Sequence, residues 1–163
     1  LEKLRAGEID MGVLALPVEL DGLAARNLYD EAFVVAAPAN DPLATKKQIK
    51  VDDLAGVTLL LLEDGHCLRD QALDVCSRID VREKQDFRAT SIETLRQMVA
   101  AGAGATLLPE LATRGGYATP RGLVVRPFAK PAPTRRIGAI WRKSTPRSVA
   151  IDAVAKVIAG HAL

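Results

Sequence analysis

Alternating strand-like and helix-like segments in this 163-residue sequence predict an α/β fold with mainly parallel sheets and helices on both faces. Hydrophobic residues make up 48% and charged residues 26%, which is typical of a soluble globular domain and excludes a disordered or fibrous chain. The length is sufficient for one domain or two small lobes that bury a core without disulfides or metals. In open α/β sheets of this kind, ligands usually bind at the carboxyl ends of the strands.

The first part of the chain is expected to supply a helix end and three strands. Residues 1–7 are typical of the tail of a helix that ends at a glycine cap, Gly7. Aliphatic runs bounded by proline and glycine predict buried strands, and an alternating lead-in from Leu23 to Tyr29 precedes the second of them. The predicted segments are strands over 9–16, 32–37 and 57–62, a turn at 38–42, and one helical turn at 51–54.

Two helices are predicted in the middle of the chain. Apolar residues recur at spacings of four and three from Gly65 to about Ile79, which predicts a helix with Asp64 as its N-cap. Thr90 and Glu93 stand three residues apart and predict a capping box for a second helix. That helix should reach about residue 101 and end at the glycine that follows.

The last part of the chain predicts short strands and a final helix. Pro131-Ala132-Pro133 is a stiff segment and a natural place for the chain to cross between domains. The predicted elements are strands over 87–89, 105–108, 123–128 and 136–141, a short helix opened by Pro109, a loop at 114–116, and a helix from about 145 to 160.

Charge and hydropathy argue against a nucleic-acid-binding surface and against a membrane anchor. Lysine and arginine total 22 against 20 acidic residues, and the resulting net charge of +2 is too small to neutralise many phosphates. The apolar stretches fall far short of the roughly 20 residues that span a bilayer. Two cysteines without a dense cysteine framework favour a reducing, cytoplasmic location.

The sequence lacks the motifs of most enzyme and cofactor sites. Gly102-Ala103-Gly104 has no third glycine three residues on, and it follows a helix instead of opening one, which argues against a dinucleotide site. There is no Gly-x-Ser-x-Gly nucleophile motif. His66 and His161 are the two histidines, so a metal site would need unusual help from carboxylates. We therefore predict no metal and no cofactor.

The segment around Cys67 is the candidate site. In the first turn of a helix, unpaired backbone amides and the helix dipole favour a thiolate over a thiol. His66 and Arg69 add potential positive charge, whereas Asp70 acts in the opposite direction. A modest activation of the thiol is the expected result.

The spacing of the two cysteines predicts a redox switch. Nine residues of helix advance about 13.5 Å and place Cys76 on the opposite side from Cys67, whereas a disulfide needs Cα atoms within about 7 Å. Cys67 lies on the polar side of the helix and Cys76 flanks the apolar stripe. Peroxide could oxidise the exposed thiol to a sulfenic acid, and local unfolding would let the sheltered thiol condense with it. The alternative is that both cysteines are incidental.

The residues around the two cysteines resemble the regulatory domain of the peroxide-sensing LysR-type transcriptional regulators. A Gly-His-Cys-Leu-Arg-Asp block with a second cysteine nine residues on is particular to these sensors, and a weaker resemblance extends over nearly the whole chain. The segments that carry it are Glu63-Asp64-Gly65-His66-Cys67-Leu68-Arg69-Asp70-Gln71-Ala72, then Cys76, then Phe87-Arg88-Ala89-Thr90-Ser91-Ile92-Glu93-Thr94-Leu95.

This resemblance implies a fold of two lobes similar to periplasmic binding proteins, with chain crossings near Asp30 and Arg136. An incomplete lobe I would comprise residues 1–31 and 137–163, and lobe II, residues 32–136, would carry both cysteines. The resemblance also implies roles in one redox site, with either arginine of the Arg135-Arg136 pair as its last member. The implied members are Cys67 (peroxide-reactive), Cys76 (resolving, in a Cys67–Cys76 disulfide), and the pocket residues His66, Arg69, Asp70 and Arg135.

The resemblance further implies a transcription regulator, not an enzyme, that responds to hydrogen peroxide. Its regulatory domain would form a homodimer, and the full-length protein a tetramer that binds DNA through an N-terminal domain absent from this chain and contacts RNA polymerase. The helix over 91–101, with Glu93 and Thr94, would transmit the change. Two alternatives stay open, namely a metabolite-binding effector domain that uses Thr90 and Ser91 at a helix N-terminus, and a thiol peroxidase.

Overall fold

The computed structural model of the chain describes residues 1–77, 79–114 and 119–161, without the side chains of residues 84–87. The chain forms two compact units, Leu1–Glu31 with Arg135–Leu163, and Ala32–Thr134. The predicted α/β class is confirmed. The sheets are mixed instead of mainly parallel, because three of the strand pairs with a described register are antiparallel and one is parallel. The assignment of the two units as regulatory lobes stays a prediction.

The first unit is built around the antiparallel pairing of its first and last strands. Gly7 caps the opening helix in the left-handed conformation (φ 82°), as predicted. Leu4, Leu23 and Ile140 form its small apolar core. The elements of this unit are α1 (Glu2–Ala6), β1 (Met11–Leu16), the first part of β2 (Leu23–Pro38), β7 (Thr134–Arg142), which lies between β1 and β2, and α5 (Ser148–His161).

Gly138 occupies a crowded position in β7. A Cβ atom there would lie 3.0 Å from the carbonyl oxygen of Arg26 and would overlap the side chain of Leu16. We expect Gly138→Ala to lower the free energy of unfolding by about 1–3 kcal/mol in urea denaturation, because overpacking forces neighbouring atoms to shift. Gly160→Ala is the matched control, since a Cβ there meets nothing within 4 Å. Equal effects of the two substitutions would contradict the crowding at Gly138.

The second unit holds a single large apolar cluster. Its sheets combine a parallel pair, β3 with β4, and antiparallel pairs of the second part of β2 with β5 and β6. Phe33, Leu60 and Leu108 are almost completely buried in the cluster, and Cys76 belongs to it as well. The elements are α2 (Pro42–Thr45), β3 (Thr58–Leu62), α3 (Cys67–Val75), β4 (Arg82–Ala89), α4 (Ile92–Ala100), β5 (Thr106–Pro109), β6 (Leu123–Pro127), and 3₁₀ turns at Val51–Leu54 and Glu110–Thr113.

Most of the predicted elements are present with shifted ends. The two segments predicted around residues 23–37 form one continuous strand, β2. The helix predicted over 65–79 is shorter, and the final helix begins at Ser148 instead of 145. The predicted capping box of α4 is wrong by one residue, because the Oγ atom of Ser91 accepts a hydrogen bond from the backbone N–H of Thr94 at 3.1 Å. Residues 115 and 116 of the predicted loop lie outside the described residues.

Candidate functional site

Cys67 is the first residue of α3, and its side chain is exposed. The chain reaches it through Gly65, whose φ of 90° lies in the left-handed region, and then through His66, whose extended backbone makes it the N-cap. The prediction that Asp64 is the N-cap is therefore wrong. The His66 side chain forms no capping hydrogen bond with a described residue, so the first-turn amides next to Cys67 lack a side-chain acceptor from the cap.

Cys76 ends the same helix on the buried side. It is the C-cap residue of α3, and only 2% of its surface is exposed. Burial raises the pKa of the Cys76 thiol, because desolvation penalises the thiolate. Both cysteines are free thiols. The predicted contrast between an exposed Cys67 and a sheltered Cys76 is confirmed, and the regular helix between them separates the two residues by about 13.5 Å along its axis.

A closed ring of four alternating charges joins the start of α3 to β4. Asp64 and Arg69 come from the helix side, and Glu83 and Arg88 from the strand. Arg69 donates to both carboxylate oxygens of Glu83, at 2.8 and 3.1 Å, and its Nε lies 3.0 Å from Asp64 Oδ1. Arg88 donates from Nη1 to Asp64 Oδ2, and its Nη2 lies 3.3 Å from Glu83 Oε1. We call these four residues the ion-pair ring.

The ion-pair ring is partly shielded from water, and this shielding strengthens the contact between Arg69 and Glu83. The Arg69 side chain is 10% exposed and that of Glu83 20%, whereas Asp64 is 71% exposed. The hydrogen bonds from Arg69 hold the pKa of Glu83 below its usual value, and those to Glu83 raise the pKa of Arg69. Because the pKa of Glu83 is lower in the folded protein than in the unfolded chain, ionised Glu83 stabilises the fold at pH values above the ordinary carboxyl pKa. This contribution is lost as the pH falls through the lowered pKa.

The remaining predicted site residues lie in two places. His66 and Asp70 are exposed neighbours of Cys67 in the second unit, and the charge of Asp70 adds to the rise in the pKa of Arg69. Arg135 belongs to the first unit, where its Nε and Nη2 atoms both lie 2.8 Å from Oε2 of the buried Glu31. The role of Arg135 beside the reactive thiol stays a prediction.

Sequence reasoning misses Glu83 and Arg88 as members of the site. Each lies on β4, which pairs with β3 and runs beside the start of α3 only in the folded chain. An alternation of charges in 82–88 was the one available signal, but such alternation also fits an exposed strand. Over the described residues, His, Cys, Asp and Glu form no group of three that could hold a metal ion, and every helix is too short or too polar to span a membrane.

The chain is similar to peroxide-responsive regulators over almost its whole length. The family model described as LysR substrate binding domain matches residues 1–162. The chain is 43% identical over 159 residues to a probable hydrogen peroxide-inducible genes activator of Mycobacterium leprae, which covers 97% of this chain and 51% of that protein. It is 42% identical over 158 residues to the DNA-binding transcriptional dual regulator OxyR of Escherichia coli, with 97% and 52% covered. The chain thus spans about half the length of the curated relatives it matches.

Solved structures in both redox forms share this fold. The reduced form of the OxyR regulatory domain from Pseudomonas aeruginosa superposes with a TM-score of 0.86 at 38% identity, covering 99% of this chain and 76% of that chain. The oxidised form of OxyR gives a TM-score of 0.83 at 42% identity, covering 98% and 74%.

Proposed function

Since this chain belongs to the LysR substrate-binding domain family, we propose that it is the regulatory part of a transcription regulator that senses hydrogen peroxide through Cys67. Its curated relatives are transcriptional regulators and not enzymes. The observation that carries the proposal is the position of the two thiols, one exposed at the start of α3 and one buried at its end.

The first chemical step is oxidation of Cys67. The thiolate sulfur attacks one oxygen of hydrogen peroxide, the O–O bond breaks, and the leaving hydroxide takes up a proton to become water. Cys67 becomes a sulfenic acid, so sulfur is oxidised and peroxide is reduced. The position of Cys67 supports this step, because its side chain is exposed at the first residue of α3 and peroxide can reach the sulfur from solvent. His66, Arg69 and Asp70 are the neighbours that we propose tune it.

The second step is condensation with Cys76. The Cys76 sulfur attacks the Cys67 sulfur, the S–O bond breaks, and the released hydroxide combines with the thiol proton to give water. The new disulfide cannot form across an intact α3, because about 13.5 Å of helix separates the two residues and disulfides need Cα atoms within about 7 Å. The chemistry is therefore coupled to a change of backbone, and a dithiol reductant reverses it by becoming a disulfide itself.

In the whole protein, this change would act on assembly and on transcription. We propose a homodimer formed through the regulatory domain, with α4 as the transmission surface, and a tetramer in the full-length regulator. A separate N-terminal domain would bind DNA, and the full-length protein would contact RNA polymerase. We propose that the protein acts in the cytoplasm. The metabolite-binding alternative has less support, because Ser91, which it uses together with Thr90, already caps α4.

Peptide mass mapping after treatment with one equivalent of hydrogen peroxide tests the proposal. We expect a Cys67–Cys76 crosslink in the parent protein. In Cys76→Ser, the control, we expect a sulfenic acid that persists at Cys67 and reacts with a dimedone-type trap, because the resolving thiol is gone. Unmodified thiols at this dose in the parent would contradict the function, and steady peroxide turnover with a reductant would favour a thiol peroxidase.

A further inference from the structure

Two members of the ion-pair ring flank the reactive cysteine in the sequence and fix the segment between them to β4. Asp64 precedes Cys67 and Arg69 follows it, and both side chains bind residues of β4. Consecutive Cα atoms are about 3.8 Å apart, so Cys67 has little freedom to leave its place while both neighbours stay bound. Cys76 lies beyond the reach of that freedom, since it is about 13.5 Å further along the helix.

We propose that the ion-pair ring is a latch that holds the start of α3 against β4 and thereby sets the rate at which oxidised Cys67 reaches Cys76. This inference rests on the proposed function and adds a rate-controlling element to it. The latch must open before the Cys76 sulfur can attack the Cys67 sulfur, with the S–O bond breaking and water released.

Apolar and polar contacts both attach α3 to the rest of the second unit. Leu68 and Ala72 are buried, and the partly exposed side chains of Leu73 and Val75 also pack against the apolar cluster. The charge-assisted bidentate bond from Arg69 to Glu83 adds a strong polar contact at the start of this helix, two residues from Cys67.

The cysteine that moves is the exposed one. Cys76 is 2% exposed within the apolar cluster, and its departure would open the core of the second unit. Cys67 is exposed, and the segment around it contacts β4 through polar groups that water can solvate once they separate. Opening the ring is thus the less costly of the two movements, because Leu68 is the one apolar side chain of residues 64–69 that leaves the core.

Neutralising one member of the ring at constant shape tests the latch. In reduced Glu83→Gln we expect amide hydrogen exchange over residues 67–75 to become about tenfold faster, the change produced by losing about 1.4 kcal/mol of a charge-assisted hydrogen bond. After oxidation, conversion of the sulfenic acid to the disulfide should accelerate by a similar factor. Asp64→Asn should give a smaller effect in the same direction, because Asp64 is exposed.

The control is Asp74→Asn, which makes the same change of charge at an exposed position of α3 outside the ring. It should leave both rates within about twofold, as surface substitutions away from specific contacts do. Unchanged exchange in β3 and β5 will verify that Glu83→Gln is folded. A disulfide that forms at the parental rate in Glu83→Gln overturns the latch alone. A parent protein that forms no disulfide overturns the proposed function. The exchange measurement on the reduced protein is independent of that outcome, and exchange over residues 67–75 that is unchanged in Glu83→Gln overturns the latch.

Discussion

Replacement of Cys67 by serine is expected to reduce the reaction with one equivalent of hydrogen peroxide to the level of a protein without thiols. Cys67 is the exposed thiol, whereas Cys76 is 2% exposed and burial raises its pKa. The thiolate is the nucleophile that attacks peroxide, so Cys76 cannot take over the role in the folded protein. Stopped-flow measurement of peroxide consumption and of free thiols checks this expectation.

The serine variant at the other cysteine is the matched control. Cys76→Ser should consume peroxide at nearly the parental rate, because the first step does not involve the resolving thiol. The double variant Cys67→Ser/Cys76→Ser defines the background. If Cys67→Ser reacts as fast as the parent and Cys76→Ser does not, the assignment of the two roles is reversed.

The second large effect is expected at the ion pair between Glu31 and Arg135. Glu31 is 1% exposed and Arg135 contacts it through two nitrogens, so Arg135→Met leaves a carboxylate in the interior without this partner. We expect a loss of about 3–5 kcal/mol in the free energy of unfolding, the usual cost of breaking a buried pair from one side. Urea denaturation followed by circular dichroism measures it.

The neighbouring arginine provides the control for this prediction. Arg136 pairs with Asp30 at 3.2 Å, but both side chains are 56% exposed. Arg136→Met should therefore cost at most about 1 kcal/mol, as is typical of surface ion pairs. Similar shifts of the unfolding midpoint in the two variants would show that burial does not distinguish the pairs.

The order of elements could be predicted from the sequence because it depends on local patterns. Aliphatic runs closed by proline or glycine mark β1, β3 and β5, and the left-handed glycine after α1 follows from its position at a helix end. Strand direction depends on contacts that are distant in sequence. An apolar run looks the same in a parallel and in an antiparallel pair, and for that reason the mixed sheets were not predicted.

The end of α3 shows why periodicity alone overestimates a helix. Ile79 continues the apolar spacing, but the regular helix stops at Val75, and the N–H of Cys76 bonds to the carbonyl of Leu73. Ile79 packs against the core from outside the helix. The apolar spacing thus predicted the burial of Ile79 correctly and its helical conformation incorrectly. An apolar residue can pack against the core whether or not its backbone is helical.

The contrast in exposure between the two thiols could be predicted from the sequence, whereas the ion-pair ring could not. Their contrast depends on nine residues of helix and on which side of it is apolar, both of which are local. The ring needs Glu83 and Arg88, and their place beside α3 follows from the pairing of β4 with β3. Prediction from the sequence therefore identified the exposed and the buried thiol, and it missed the ion pairs beside the exposed one.

Both cysteines belong to the unit formed by one uninterrupted stretch, Ala32–Thr134, whereas the other unit combines both ends of the chain. A ribosome finishes the uninterrupted stretch before it has made β7 and α5. Since domains generally fold as units during synthesis, the thiol-bearing part can acquire its structure first, with Cys67 exposed and Cys76 buried before β7 and α5 have been made.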